Sequence, residues 1–406
     1  MTTTPDIAGR LAALSPQQRA LLDKKLRRTA PALGDAPQAS AAGPRRRARR
    51  ADSVMDFMLF FFSGDGTTHG PGKYDFLFDA ARYADRNGFS AISVPERHFV
   101  DFGGLYPNPS LLAAALAAVT ERIQIRAGSV VLPLHHPVRI AEEWSVVDNI
   151  SGGRTAISCA SGWHPDDFVL APDTSAERFE RRREEMFDQL AAIQRLWAGE
   201  AVAFPGPFGK PVEVRSLPRP IQPRLPVWVS SQGSVETFVR AGEAGAHVLT
   251  GLVAQRLTDL GEKIAAYREA RREHGHDPAA GKVSVMVHTF LGADEADVKR
   301  IVRQPLIDYL KTFLAQQDGF GSEYAQISGE ARDAMLAATF ERYYDTIALL
   351  GTPDKCETLI EDLVDIGVDE VACLVDFGVD QRAVLDSLDH LTELKDRYRR
   401  EDGDAA

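Results

Sequence analysis

The chain has 406 residues, 44% hydrophobic and 26% charged, with a net charge of -11, the balance of a folded globular protein with apolar side chains enough for one large barrel or two medium domains. No apolar run approaches the roughly 18 residues that a membrane span needs, and no charged-then-apolar start carries a cleavage site, so a cytoplasmic protein is expected. Three cysteines, Cys159, Cys356 and Cys373, are too few and too scattered for a disulfide framework or a zinc cluster.

Residues 1–53 hold 11 Lys and Arg against 4 Asp and Glu, so a basic leader precedes an acidic body. Arg45 to Arg50 has no interleaved aromatics and lies among Ala, Pro and Gly, which reads as a solvated linker, and the acidic body argues against a nucleic-acid enzyme. Within the leader, residues 7–28 form one or two amphipathic helices with Leu11, Leu14, Leu21, Leu22 and Leu26 as a stripe. Their pattern LxxLSPxxRALLxxxL resembles the linker before modules of nonribosomal peptide and polyketide synthases; the equal alternative is a helical appendage used in dimerisation.

The body, 54–400, opens with the apolar run VMDFMLFFFS, which suits a strand buried on both faces. A glycine-rich loop, Gly64 to Gly72, leads into a helix over 73–87, and residues 90–95 make a second strand. A polar and aromatic loop, 96–109, precedes a helix over 110–120. From Arg122 to His164 the pattern is densest: a strand from Ile123, Ile125 and the run 129–132, a helix from Pro137 to Ile150, a stop at Ser151, Gly152 and Gly153, and a strand over 154–159. That is a βαβ unit with its loops on one rim. A long charged helix over 175–197, a hairpin over 202–214, strands at 226–230, 246–249, 283–291 and 370–375, and helices at 234–244, 257–274, 296–344 with interruptions, 355–366 and 381–398 complete the chain. Eight strands each followed by a helix predict an α/β fold, a (β/α)₈ TIM barrel with insertions; a doubly wound sheet is the alternative.

In a barrel, chemistry belongs at the C-terminal ends of the strands. Five histidines, His69, His98, His135, His136 and His164, sit in four such loops without a metal-ligand spacing, so no metal is expected. His136, followed by Pro137, reads as structural. Gly64 to Gly70 with Glu96 one strand later imitates a dinucleotide-binding unit, but its GxGxxxG spacing and the intervening Pro71 and Gly72 favour a flexible rim loop. Ser231, Gln232, Gly233 and Ser234, between a strand and a helix, offer hydroxyls and backbone N–H groups suited to an anion, although a plain N-cap by Ser231 or Ser234 also accounts for them. Ser161, Gly162, Trp163 and His164 add N–H groups and an indole from the neighbouring loop. Together the two loops suggest a phosphate-bearing cofactor.

VPERHF at 94–99, the stretch Asn108 to Arg154, SGWHP at 161–165, the stretch Pro226 to Thr250 and GTPDKCETLIEDLVDIGVDEVACLVDFG at 351–378 resemble the bacterial-luciferase-like flavin monooxygenases, and the ending VACLVDFG with the synthetase-like leader resembles the subgroup beside natural-product assembly lines. The resemblance implies a TIM-barrel enzyme that uses reduced FMN and O₂, supplied by a separate flavin reductase, to hydroxylate or N-oxygenate an acyl or amino-acyl intermediate, free or bound to a carrier protein, and a homodimer or higher homo-oligomer. It also implies that Gly128-Ser129 is a cis peptide beneath the flavin ring. The flavin phosphate is expected between Ser161–His164 and Ser231–Ser234, where serines stand in the places of luciferase's arginine and glutamate. Ala160 takes the place of the luciferase cysteine facing the flavin, and its neighbour Cys159, on the opposite strand face, belongs to the core. Arg97-His98 occupies the place of luciferase's histidine pair, so either His98 is the catalytic base or Arg97 binds an anionic group of the substrate instead. Two alternatives stay open: a deazaflavin (F420)-dependent hydride-transfer enzyme of the same superfamily, and a catalytically silent flavin-binding subunit.

Overall fold

The computed structural model describes residues 49–62, 71–253, 255–318 and 329–399. Most of the leader, and the loop at 63–70 with His69, lie outside these described residues. Eight parallel strands close on themselves as a (β/α)₈ barrel: β1 (Asp56–Phe60), β2 (Ala91–Val94), β3 (Gln124–Val131), β4 (Thr155–Ala160), β7 (Val227–Ser230), β8 (His247–Gly251), β9 (Val283–Leu291) and β11 (Glu370–Leu374), with β9 pairing back to β8. Strands β5 (Val202–Pro205) and β6 (Pro211–Val214) are the antiparallel hairpin between β4 and β7. The short β10 (Leu349–Gly351), which the sequence did not announce, adds in parallel to β9. Three residues next to a helix end carry too little periodicity to be read as a strand.

The helices are α1 (Asp75–Arg86), α2 (Pro109–Val119), α3 (Pro137–Ser151), α4 (Ala176–Ala198), α5 (Val235–Glu243), α6 (Leu257–Glu273), α7 (Glu295–Asp318), α8 (Gly329–Thr346), α9 (Pro353–Asp365) and α10 (Gln381–Arg397). The interrupted helical stretch over 296–344 is thus α7 and α8. No described helix is long and apolar enough to cross a membrane.

Two compact units divide the chain. One is Asp56–Thr250 with Ala266–Ser284; the other is the described part of Met1–Met55, Gly251–Ala265 and Val285–Ala406. In the first, α2 starts at Asn108, whose side chain accepts the Leu111 N–H, and Pro109 follows it, where a missing N–H costs nothing. Helix α3 repeats the device: His136 Nδ1 accepts the Val138 N–H at 3.3 Å, Pro137 follows, and Gly152 ends the helix at φ 70°. His136 is therefore a helix cap, as its place before Pro137 suggested. Strand β3 runs for eight residues, with a shift of register against β4 between Gly128 and Val130; in it the buried Arg126 packs its guanidinium 3.5 Å from the Trp228 ring centroid while Gln124 accepts from it. Asp85, at the end of α1, takes the N–H groups of Glu121, Arg122 and Ile123 and ties that helix to the entry of β3.

Candidate functional site

Every sequence-derived site residue falls at the C-terminal ends of β2, β3, β4 and β7, within the first unit. Strand register sets their spacing. Cys159 pairs with Val229 and Val131 with Ala160, so the loops after β3, β4 and β7 are direct neighbours.

The floor is β3. The Gly128-Ser129 peptide is cis, as the resemblance implied. A Cβ on Gly128 would lie 2.1 Å from Ser93 Oγ and 2.7 Å from the Phe60 ring, so only glycine lets β3 approach these neighbours. Ser129, Ser158 and Ser230 share one hydroxyl cluster, with Ser158 Oγ 2.8 Å from Ser230 Oγ. Cys159 is wholly buried, and burial pushes its thiol far up, so it is core and not a nucleophile. Ala160, beside it, stays partly accessible.

Two turns stand beside this floor. Gly162 (φ 79°) and Gly233 (φ 118°) turn them in the left-handed region open to glycine. Among the described residues, the backbone N–H groups of Ser161, Gly162, Trp163, Gln232 and Ser234 donate to no group of the chain. Ser234 Oγ accepts the Thr237 N–H and caps α5, so the N-cap and the anion-friendly reading hold together: the helix N-terminus remains turned toward the loop. The Ser231 N–H, counted as free on sequence grounds, is spent on Leu249 O, and its hydroxyl accepts from Gly233. Arg182, on α4, was missed. Its Nε donates to Gly162 O at 3.1 Å and its head lies 4.2 Å from the Phe179 ring centroid, which brings a cation under the first turn; burial lowers its pKa. Only the folded chain brings a residue 20 positions downstream of Gly162 back to the turn.

The third part lies after β2. Glu96 is buried to 5% exposure and its carboxylate has three partners: His98 Nε2 at 3.0 Å and His135 Nε2 at 2.6 Å on Oε1, and the Val131 N–H at 2.7 Å on Oε2. Burial would raise Glu96, but the hydrogen bonds from His135 and His98, the His135 charge and the Val131 N–H outweigh it and hold the carboxyl below the usual range. Burial likewise works against the charged form of His135, yet Glu96, with Glu143 behind it, holds this imidazole above its ordinary value. Glu96 is thus occupied by histidines and backbone, which removes the role in a dinucleotide unit that its place after β2 imitated.

Arg97 is buried, with its guanidinium 4.8 Å from the centre of the half-exposed Trp163 ring and Gly103 packed against its stem. Asp167, in the 3-10 turn Pro165–Leu170, is raised by burial; the charges of Arg97, His98 and His164 pull it back and Glu96 pushes it up. Next to His98, Phe99 takes φ 60° and is 64% exposed. Such backbone is uncommon for a bulky residue and holds an apolar ring out at the rim. Among the described residues no group of His, Cys, Asp and Glu is arranged to hold a metal ion.

A strand with a cis peptide, two N–H-lined turns on neighbouring strands and a histidine pair on a buried carboxylate lie together at the C-terminal ends of β2, β3, β4 and β7. The model of the luciferase-like monooxygenase family matches residues 55–370. The chain belongs to that family. The oxygenase component of the flavin-dependent trigonelline monooxygenase of Acinetobacter baylyi is 29% identical to this family member over 228 residues, 56% of this chain and 61% of that one, so the alignment spans under two thirds of the relative. Among solved structures, the oxygenating constituent of 3,6-diketocamphane monooxygenase from Pseudomonas putida, a type II Baeyer-Villiger enzyme in complex with FMN, superposes with a TM-score of 0.67 at 21% identity, covering 85% of this chain and 99% of that one. The coenzyme F420-dependent tetrahydromethanopterin reductase of Methanopyrus kandleri gives 0.61 at 20% identity, covering 85% and 100%. Both likenesses are of fold.

Proposed function

We propose that this luciferase-like chain is the oxygenase of a two-component system, taking reduced FMN from a separate reductase and hydroxylating or N-oxygenating an acyl or amino-acyl compound, held on a carrier protein of a natural-product assembly line. The observation that carries the cofactor is the pair of turns after β4 and β7. Their five undonated N–H groups, the α5 N-terminus and the nearby Arg182 fit a phosphate dianion without the arginine and glutamate of luciferase. Ser161 to His164 and Ser231 to Ser234 would hold the phosphate, and Gly128, Ser129 and Ala160 would line the place of the ring. Reduced FMN, when bound, supplies the oxygen chemistry. The chain's own residues orient it, exclude water and move protons, with His98 as the base. Arg97 already lies against Trp163 within reach of the Asp167 charge, which favours His98 over Arg97 for the proton. The carrier-bound substrate rests on the leader's resemblance to assembly-line linkers.

Anaerobic titration tests the reading. Reduced FMN should bind in the micromolar range, and the loaded protein with O₂ should add one oxygen atom, a gain of about 16 Da by intact mass, to carrier-bound substrates when a reductase and NADH regenerate the cofactor. Absence of affinity for FMN in either redox state overturns it. Binding of F420 in its place, with no reaction toward O₂, selects the hydride-transfer alternative, and binding of FMN with product formation indifferent to His98→Ala selects the silent subunit.

A further inference from the structure

We propose that Glu96 is a positioning residue that locks both His98 and His135 in the Nε2–H tautomer, so that Nδ1 of His98 is the atom that takes the proton. This rests on the monooxygenase reading for its use but not for its geometry. An ionised carboxylate only accepts hydrogen bonds. Both rings turn Nε2 to the same Oε1, at 3.0 and 2.6 Å, so each ring must donate from Nε2; in the neutral form the lone pair is then on Nδ1. The carboxylate itself is fixed, because Oε2 is taken by the Val131 N–H and the whole side chain is out of solvent.

The two rings thus share one oxygen. The groups facing the pair are Glu96 itself, Arg97 next in the chain, Asp167 and His164 from the segment after β4, and Glu143 of α3, which faces His135 and is itself bound by Arg139. His135 is the more open of the two rings, its side chain 29% exposed against 11% for His98. Sequence spacing offered no sign of this, since 39 residues separate Glu96 from His135.

The test needs no cofactor. Long-range ¹H–¹⁵N spectra of the labelled full chain should show both rings as the Nε2–H tautomer at neutral pH. In Glu96→Gln, one ring or both should change tautomer and His135 should titrate at lower pH. Nδ1–H on His98 in the wild type, or tautomers unmoved in Glu96→Gln, overturns the proposal; if Glu96→Gln fails to fold, the wild-type tautomers decide alone. In the FMN-loaded protein, kcat/KM for Glu96→Gln should fall about 10- to 100-fold. Failure to bind flavin would overturn the monooxygenase reading and leave the tautomer result standing.

Discussion

Gly162 stands where backbone geometry meets the proposed phosphate site. At φ 79° a side chain is strained, and a Cβ there would lie 2.9 Å from Val131 Cγ1 and 3.0 Å from the Phe168 ring. Gly162→Ala should therefore cost about 1–2 kcal/mol in urea unfolding, from the left-handed backbone and local overpacking. The displaced turn withdraws its N–H groups. FMN affinity should fall by tenfold or more, while riboflavin, which has no phosphate, should bind the variant about as it binds the parent; equal losses for both ligands would show that the turn does not serve the phosphate.

At the scale of elements, the joint between α1 and β3 is held by one side chain. Burial would raise the Asp85 carboxyl, but the N–H groups of Ile123, Glu121 and Arg122, with the Arg122 charge, bring it below its usual value. The stabilisation this represents is present above the unfolded-state value near 4 and is lost as pH falls through the lower folded value. Asp85→Ala leaves three N–H groups without their acceptor, and a loss of about 3 kcal/mol at neutral pH is expected by denaturant titration. Because β3 carries Gly128 and Ser129 at its other end, the same variant should also loosen the floor. Hydrogen exchange of β3 amides would report it.

At the scale of the whole molecule, the unit that includes Val285–Ala406 contains a buried histidine of its own. His288 packs edge-on against Tyr309, Tyr343 and Phe377 at 4.4 to 5.3 Å, and its Nδ1 is 2.9 Å from the Tyr343 hydroxyl. Burial pushes its pKa down from 6.5 to about 3. Below pH 6.5 the unfolded chain takes up a proton that the folded chain refuses, so stability should decline from 6.5 toward 3. His288→Phe keeps an aromatic ring and removes that proton, and should flatten the decline. Thermal unfolding across this range checks it; an unchanged slope would place the acid sensitivity elsewhere.

Much of this protein is written locally. Apolar runs, Pro at helix starts and Gly at helix ends are properties of a few consecutive residues, and they announced eight barrel strands and a structural place for His136. Family likeness, carried by Val94 to Phe99 and Asn108 to Arg154, pointed to the cis peptide at Gly128-Ser129. Contacts between distant positions were not legible. Only the closed barrel brings Glu96 to His135, Arg182 to Gly162 and the Ser231 N–H to Leu249, because each pairing depends on which strand ends lie side by side. A single chain read in order has no record of that neighbourhood, and the nitrogen that His98 turns to Glu96 is decided there.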